Sequence, residues 1–390
     1  MTLTTSSPRQ PARIFISAAE PSADRHAASL VSRILQLSTD AQVTGVAGPL
    51  TQAAGCTAIE DWTAQATMLV GAVRLARRAF KLIGRVGQLM AQQPANLAIL
   101  VDSPALHLPM AKRIQATGCP VLYYIAPQLW AWAPWRIRRV RRRVDRLAAI
   151  LPFEENYFRS RGVDATFVGH PLVEQLSQAR PDPATVAEYR KSGSPVIACL
   201  PGSRAHVIEE VLPGQIEIAH TIAAQYPESV FLFAAANPTA AQRIQASVSA
   251  ARLNTRVQTD HNAEILSAAD FALCASGTAT LEVAWHRVPM VVMYNGSKWG
   301  YRLAGRWLIQ TPHLCLVNIL AGRRIVPEFM PYYTSTKPIA AEALDILGKP
   351  PRAASMRQDL DAVIRSLGTT SAAEQTARIA LQMIAARRPQ

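Results

Sequence analysis

Charge is scarce in this 390-residue chain: Asp, Glu, Lys and Arg make up 17% of it, and aromatic residues only 6%. Acids are the scarcer sign, with 27 Asp+Glu against 41 Lys+Arg, which leaves a formal net charge of +14 at pH 7. Cysteine is sparse as well. Cys56, Cys119, Cys199, Cys274 and Cys315 are scattered, odd in number and form no Cys-x-x-Cys pair. That argues against a disulfide framework and fits buried thiols in a reducing cytosol. No uninterrupted apolar run is long enough to span a bilayer; Cys119 to Trp135 lacks charge, but Pro120, Pro127 and Pro134 break it. Met1 to Pro11 is polar and lacks the apolar core of a secretory signal, so a cytoplasmic location is expected. Internal repeats, low-complexity tracts, and helix-turn-helix, zinc-finger or RNP signatures are all missing. Their absence weighs against a nucleic-acid-binding protein in spite of the basic balance.

What is present is apolar and periodic. A hydrophobic share of 49% is ample for packed cores, and the length predicts two domains rather than one. The positive excess is uneven: residues 1–194 carry 23 Lys+Arg against 13 Asp+Glu, or +10, and the remainder carries +4. An anionic partner is therefore expected on the first half.

The first half reads as strands alternating with helices. Arg13 to Ser17, Val43 to Ala47, Leu97 to Val101, Pro120 to Ile125, Leu147 to Leu151 and Thr166 to Val168 are strand-like. Glu20, Ser22, Asp24 and His26 crowd the junction after the first strand, at a carboxyl end where ligands bind. A helix cap at Ser22, with Asp24 complementing the dipole, accounts for the same residues and is compatible with a site. Asp102, followed by Ser103-Pro104, ends a buried strand and is a candidate general base, or the start of an Asx-turn. His170 after the last of these strands is a ligand contact or a structural residue.

Two stretches of the first half are basic. Met68 to Gln92 predicts a helix with Arg74, Arg77, Arg78, Lys81 and Arg85 on one side. The other comes after Trp130, Trp132 and Trp135. It holds Arg136, Arg138, Arg139, Arg141, Arg142, Arg143 and Arg146, interleaved with Ile137, Val140, Val144 and Leu147 at helical spacing. The pattern predicts a basic amphipathic helix, either a core helix with a solvated face or a contact with an anionic membrane surface. Trp130, Trp132, Arg138, Arg139, Arg142 and Arg143 are its candidate membrane contacts.

Pro181 to Pro195 is polar and proline-bearing, so it reads as a linker. The second half then repeats one device. Val196 to Leu200 leads into Pro201-Gly-Ser203-Arg204 and a helix; Phe271 to Ala275 leads into Ser276-Gly277-Thr278 and another. A strand, a glycine turn and a helix start suit a diphosphate, with hydroxyls and Arg204 as added donors. Glu282 lies one turn beyond Thr278, placed for sugar hydroxyls. An ordinary strand-to-helix connection with a Ser/Thr cap is the alternative. Lys298 to Leu308 predicts a further basic aromatic helix, and three helices close the chain.

The ordered set Gly45-Val-Ala-Gly48, Tyr124-Ile-Ala-Pro-Gln-Leu-Trp-Ala-Trp132, Leu151-Pro-Phe-Glu154, Val168-Gly-His170, Leu200-Pro-Gly-Ser-Arg204, Ala275-Ser-Gly-Thr-Ala-Thr-Leu-Glu282 and Asn318-Ile-Leu-Ala-Gly322 resembles the lipid-A-disaccharide synthase family over roughly residues 13–330. The resemblance implies an α/β architecture of the GT-B type, two Rossmann-like domains facing across a cleft. The acceptor domain would span 1–180 and the UDP-sugar domain 195–390, with the last helices returning to the first. It implies an inverting transfer from UDP-2,3-diacylglucosamine to 2,3-diacylglucosamine 1-phosphate (lipid X), giving the β-1,6 disaccharide 1-phosphate and UDP. Asp102 would be the base; Ser203, Arg204, Ser276, Gly277, Thr278, Glu282 and Asn318 would hold the donor, without metal or cofactor. Glu20, Ser22, Asp24 and His26 are possible substrate contacts. The enzyme would sit peripherally on the inner membrane.

The chain departs from the family pattern on the acceptor side. Ala19, Ala23 and Ala27 replace three glycines of the first loop, and Ala105, Leu106 and His107 replace an aspartate, a phenylalanine and an asparagine after Asp102. A related UDP-sugar transferase with a different acceptor is the alternative.

Overall fold

The computed structural model of the chain describes residues 11–63, 72–131, 133–296 and 311–387. The short apolar runs become parallel strands because they are buried on both faces and flanked by turn residues. The first sheet holds β1 (Arg13–Ala18), β2 (Gln42–Val46), β3 (Thr57–Glu60), β4 (Leu97–Val101), β5 (Val121–Tyr124), β6 (Arg146–Ala149) and β7 (Ala165–Phe167). Its order is β3-β2-β1-β4-β5-β6-β7, and every pairing is parallel. The second holds β8 (Val196–Leu200), β9 (Val230–Ala235), β10 (Thr255–Thr259), β11 (Phe271–Ala275), β12 (Met290–Met293) and β13 (Glu328–Phe329). Its order is β10-β9-β8-β11-β12-β13, again all parallel. Each sheet grows outward on one side of its first strand and then restarts on the other. The reversal falls between β1 and β4 in one sheet and between β8 and β11 in the other, and ligands of open α/β sheets bind outside the carboxyl ends of such strand pairs.

Each sheet belongs to its own unit. Residues up to Glu174 and from Thr369 onward form the first, and Gln175–Gly368 the second. The expected linker is not one: it carries the helix Pro183–Lys191 of the second unit. Asp182 caps that helix by accepting from the N–H groups of Ala184 and Thr185, and Pro183 sits where no N–H is needed. The last helix, Ala372–Ala385, packs on Pro21–Leu37 in the first unit. Ala377, Ala380 and Ile384 share the core of Leu30, Val31 and Ile34 there.

The basic segment after the tryptophans also differs from its helical pattern. Pro134–Arg136 is a single tight turn, the helix covers only Ile137–Arg143, and Val144 is already extended. Pairing with β5 ends it: the Asp145 N–H donates to the Val121 carbonyl at 2.9 Å, and the Asp145 carboxylate accepts from the Val121 N–H at 2.8 Å. Leu147 therefore continues the apolar pattern as a strand residue. The helix expected from Met68 is described from Ala72 to Gln92; Met68 and the Lys298–Leu308 segment lie outside the described residues.

Candidate active site

In the first unit the loops after β1 and β4 lie side by side, since Ala18 pairs with Val101. The Ser103 hydroxyl donates to Glu20 Oε1 at 3.3 Å across them. Asp102 and Ser103 both adopt left-handed backbone, with φ of 53° and 46°. Such residues cost about 1–3 kcal/mol each and persist only where their surroundings hold them. Here the Asp102 N–H donates to the Tyr124 carbonyl at 2.9 Å. The Asp102 carbonyl accepts from the Tyr123 hydroxyl at 2.5 Å and from His107 Nδ1 at 2.7 Å. Burial raises the Asp102 carboxyl above its ordinary value and the neighbouring Glu20 adds to this, against a lowering bond from the Ser103 N–H. A carboxylate raised in this way is a better proton acceptor.

The rest of the junction divides. Ser22 is exposed, and the helix begins at Glu20 without a side-chain cap, so Ser22 does not cap it. His26 is partly buried, and burial followed by the charge of Arg25 holds it down to about 4. Asp24 is a different matter: it is buried, and its carboxylate accepts from the N–H groups of Gly48, Leu50 and Thr51 at 3.0, 3.0 and 3.2 Å. It caps the short helix Pro49–Ala53 and is not available to a substrate. A Cβ on Gly48 would stand 2.5 Å from the Asp24 carboxylate, which is why glycine is needed there. The alanines at 19, 23 and 27 have no left-handed backbone, and Ala23 and Ala27 are packed in the helix core.

In the second unit the corresponding strand pair brings together residues 201–204 and 276–278. Gly202 has φ 107°, and a Cβ there would stand 3.7 Å from that of Ala275. Ser203 and Arg204 are exposed, and Arg204 is the N-cap of the helix Ala205–Gln225. Gly277 has φ 143° with open space where a Cβ would be, so its backbone is approachable. Ser276 and Thr278 flank it, and Thr280 Oγ1 donates back to the Gly277 carbonyl at 2.8 Å. Glu282 lies one turn on, partly buried, with Oε2 accepting from Asn262 Nδ2 at 3.2 Å.

Asn318 does not join this group as a ligand contact. It is fully buried, and its Oδ1 accepts from the N–H groups of Ile325 and Val326 at 2.8 and 3.0 Å. Its Nδ2 donates to the Val326 carbonyl at 3.0 Å, so the amide is occupied in pinning the chain that leads to β13.

Trp130 is also turned to the interior. Its Nε1 donates to Glu154 Oε1 at 3.0 Å, and its ring meets Phe153 edge-on at 4.9 Å. Glu154 is buried and its other oxygen accepts from the N–H groups of Ile150 and Leu151. Burial pushes its carboxyl up to about 7, outweighing those donors. Trp132 lies outside the described residues. Arg138, Arg139 and Arg142 are exposed, whereas Arg143 Nη1 donates to the Leu108 carbonyl at 3.1 Å. Trp135 and Phe80 are exposed large side chains, at 60% and 73%.

With this geometry in hand, comparison with known proteins is decisive. The sequence profile of the family described as lipid-A-disaccharide synthetase matches residues 14–383. The chain belongs to the lipid-A-disaccharide synthase family. The synthase of Anaeromyxobacter dehalogenans (strain 2CP-C) is 37% identical over 351 residues, 88% of this chain and 90% of the relative. That of Syntrophus aciditrophicus (strain SB) is 36% identical over 380 residues, 95% and 97% of the two chains. Among solved structures, the glycotransferase of kitacinnamycin superposes with a TM-score of 0.63 at 14% identity, covering 97% of this chain and all (100%) of that one. MurG of Acinetobacter baumannii does so with a TM-score of 0.55 at 15% identity, covering 95% and 100%. These likenesses show the fold, two parallel-sheet domains of the GT-B type. The protein is thus a hexosyltransferase of lipid A biosynthesis.

For a lipid-A-disaccharide synthase, three side chains have roles that local sequence does not show: Tyr123 and Ser17 beside the first switch point, and Glu154 at the start of the helix after β6. Tyr123 looked like one more apolar strand residue, Ser17 like a strand end, and Glu154 like a helix-opening acid. The one legible signal was Glu154 three residues after Leu151, the spacing of a capping acid, and its carboxylate does accept from the Leu151 N–H.

Proposed function

We propose that this enzyme transfers the sugar of UDP-2,3-diacylglucosamine to the 6-hydroxyl of 2,3-diacylglucosamine 1-phosphate with inversion. Asp102 takes the hydroxyl proton as the oxygen attacks the anomeric carbon, the bond from that carbon to UDP breaks, and a β-1,6 disaccharide 1-phosphate forms. Ser203, Arg204 and the Ser276–Thr278 turn receive the diphosphate, with Arg204 stabilising the charge that develops on UDP. Glu282 holds the ribose. The observation that carries the reading is Asp102 itself, a carboxylate whose basicity burial raises, presented at the switch point between β1 and β4. The exposed Arg138, Arg139 and Arg142 support seating on an anionic membrane surface at the cytoplasmic side of the inner membrane. Among the described residues no helix is long and apolar enough to cross it.

The experiment is a mass-spectrometric assay of the purified enzyme with both acylated substrates. A disaccharide 1-phosphate and UDP in equal amounts are expected. A second reading, the same donor with a different acceptor, is favoured by Ala105, Leu106 and His107 on the acceptor side. UDP release with another acylated sugar but none with lipid X would select it.

A further inference from the structure

We propose that Ser17, His107 and Tyr123 form a buried clamp on the Asp102 carbonyl that aims the Asp102 carboxylate at the acceptor hydroxyl, so that all three are positioning residues for the transfer. The inference rests on the reading of Asp102 as the base and deepens it.

The oxygen that the clamp holds belongs to the peptide joining Asp102 and Ser103, the two left-handed residues. Two successive non-glycine residues in that region are disfavoured, and the peptide between them is where restraint acts. Tyr123 Oη and His107 Nδ1 both donate to this oxygen, at 2.5 and 2.7 Å. Ser17 Oγ lies 2.9 Å from His107 Nε2. The four groups come from different elements: Ser17 from β1, Asp102 from the end of β4, Tyr123 from β5 and His107 from the helix Pro104–Gln115. The backbone carrying the base is therefore referenced to three strands at once.

The hydrogens of the clamp have one consistent assignment. Burial holds His107 down to about 4, so near neutrality it is an uncharged imidazole with one N–H. A carbonyl oxygen only accepts, which places that proton on Nδ1. Nε2 is then an acceptor, and the Ser17 hydroxyl must donate to it. Ser17, His107 and Tyr123 are all buried in full. Tyr123 stands within an apolar cluster with Leu100, Met110 and Ala111, where an apolar side chain would pack with no polar atom to satisfy. Two buried donors converging on one carbonyl, with Ser17 holding the ring of one of them, mark a local conformation that the fold actively holds. An asparagine amide at this position could likewise donate to the carbonyl and accept from the serine.

The test measures kcat, both KM values, UDP affinity and the unfolding midpoint for four variants. Tyr123→Phe deletes one hydroxyl and keeps the ring; His107→Leu deletes both hydrogen bonds; His107→Asn restores a donor and an acceptor. Misplacing a catalytic group by an ångström costs roughly 100-fold. On that scale kcat should fall about tenfold in Tyr123→Phe and about 100-fold in His107→Leu, with KM and UDP affinity changed by less than about twofold. His107→Asn should recover most of the loss. Wild-type kcat in Tyr123→Phe overturns the clamp, and that variant decides alone where His107→Leu does not fold. Equal losses in the Asn and Leu variants, or losses shared by UDP affinity, overturn it too. Asp102→Asn separates the two readings: if it is active, the base assignment fails; if it is dead while Tyr123→Phe is fully active, only the clamp fails.

Discussion

Asn318 and Val326 hold each other in both directions: the amide Nδ2 donates to the Val326 carbonyl at 3.0 Å, and Oδ1 accepts from the Val326 N–H at 3.0 Å. Ile325 N–H adds a third bond at 2.8 Å. Asn318→Ala leaves two buried N–H groups and a carbonyl unpaired, at about 1–3 kcal/mol for each unsatisfied group. A large drop in the unfolding midpoint is expected. An unchanged midpoint with UDP affinity lost would make Asn318 a donor contact after all.

Asp102→Asn keeps the shape of the side chain and removes its basicity. Turnover should fall about 100-fold or more, within the range that general bases supply, while UDP binding persists. Near-normal turnover would mean that the carboxylate serves only the local backbone.

Arg204→Ala should weaken UDP binding, since a hydrogen bond to a charged group contributes about 1.5–3 kcal/mol. Arg204 is exposed at the start of its helix, so the fold should be untouched. Calorimetry with UDP checks this, and an unaltered affinity would clear the 201–204 turn of any phosphate role.

Stability should respond to pH in two opposite ways. His26, His107 and His170 are each held down to about 4 from an ordinary 6.5, chiefly by burial. The folded state resists these protons, so their contribution is present above pH 6.5 and is lost as pH falls toward 4. Glu154 runs the other way: its carboxyl rises from 4.5 to about 7, so its contribution is full below 4.5 and is lost as pH climbs through 7. Denaturant midpoints should fall as pH drops from 6.5 toward 4, where three imidazoles outweigh one carboxyl, and decline on the other side only between 6.5 and about 7. Because its opposing slope spans 4.5 to about 7, Glu154→Gln should remove the decline between 6.5 and about 7 and steepen the acid limb; an unchanged profile would show that another group titrates there.

Changing Arg138, Arg139 and Arg142 together to Gln should reduce binding to anionic vesicles, at roughly 1 kcal/mol per residue, and remove much of its salt sensitivity. Arg143 is left out because it is tied to the Leu108 carbonyl. Trp130→Phe should leave vesicle binding alone, since the indole faces Glu154. Sedimentation with vesicles over a salt series reads both, and wild-type pelleting of the triple variant at every salt concentration removes this helix as the contact.

Much of this was written in local sequence. Short apolar runs ending in Ser-Gly-Thr, Pro-Gly-Ser-Arg or Asp-Ser-Pro announce a strand and the turn that closes it, because turn chemistry and strand length are properties of a few adjacent residues. The sequence by itself therefore determined the central strands of both sheets and the placing of Asp102, Arg204 and Gly277 after strand ends, while the edge strands Thr57–Glu60 and Glu328–Phe329 were not legible in it. What a side chain does there was decided only by tertiary structure, because its partner is distant along the chain. Asp24 is consumed by N–H groups of residues 48–51, Trp130 by Glu154, and Ser17 finds His107 across 90 residues. The basic segment shows the same limit: Val144 and Leu147 fit a helical stripe, but pairing with β5 gives their backbone a strand. Periodicity records which residues are apolar; the competition between helix and sheet hydrogen bonds is settled by the neighbour that arrives.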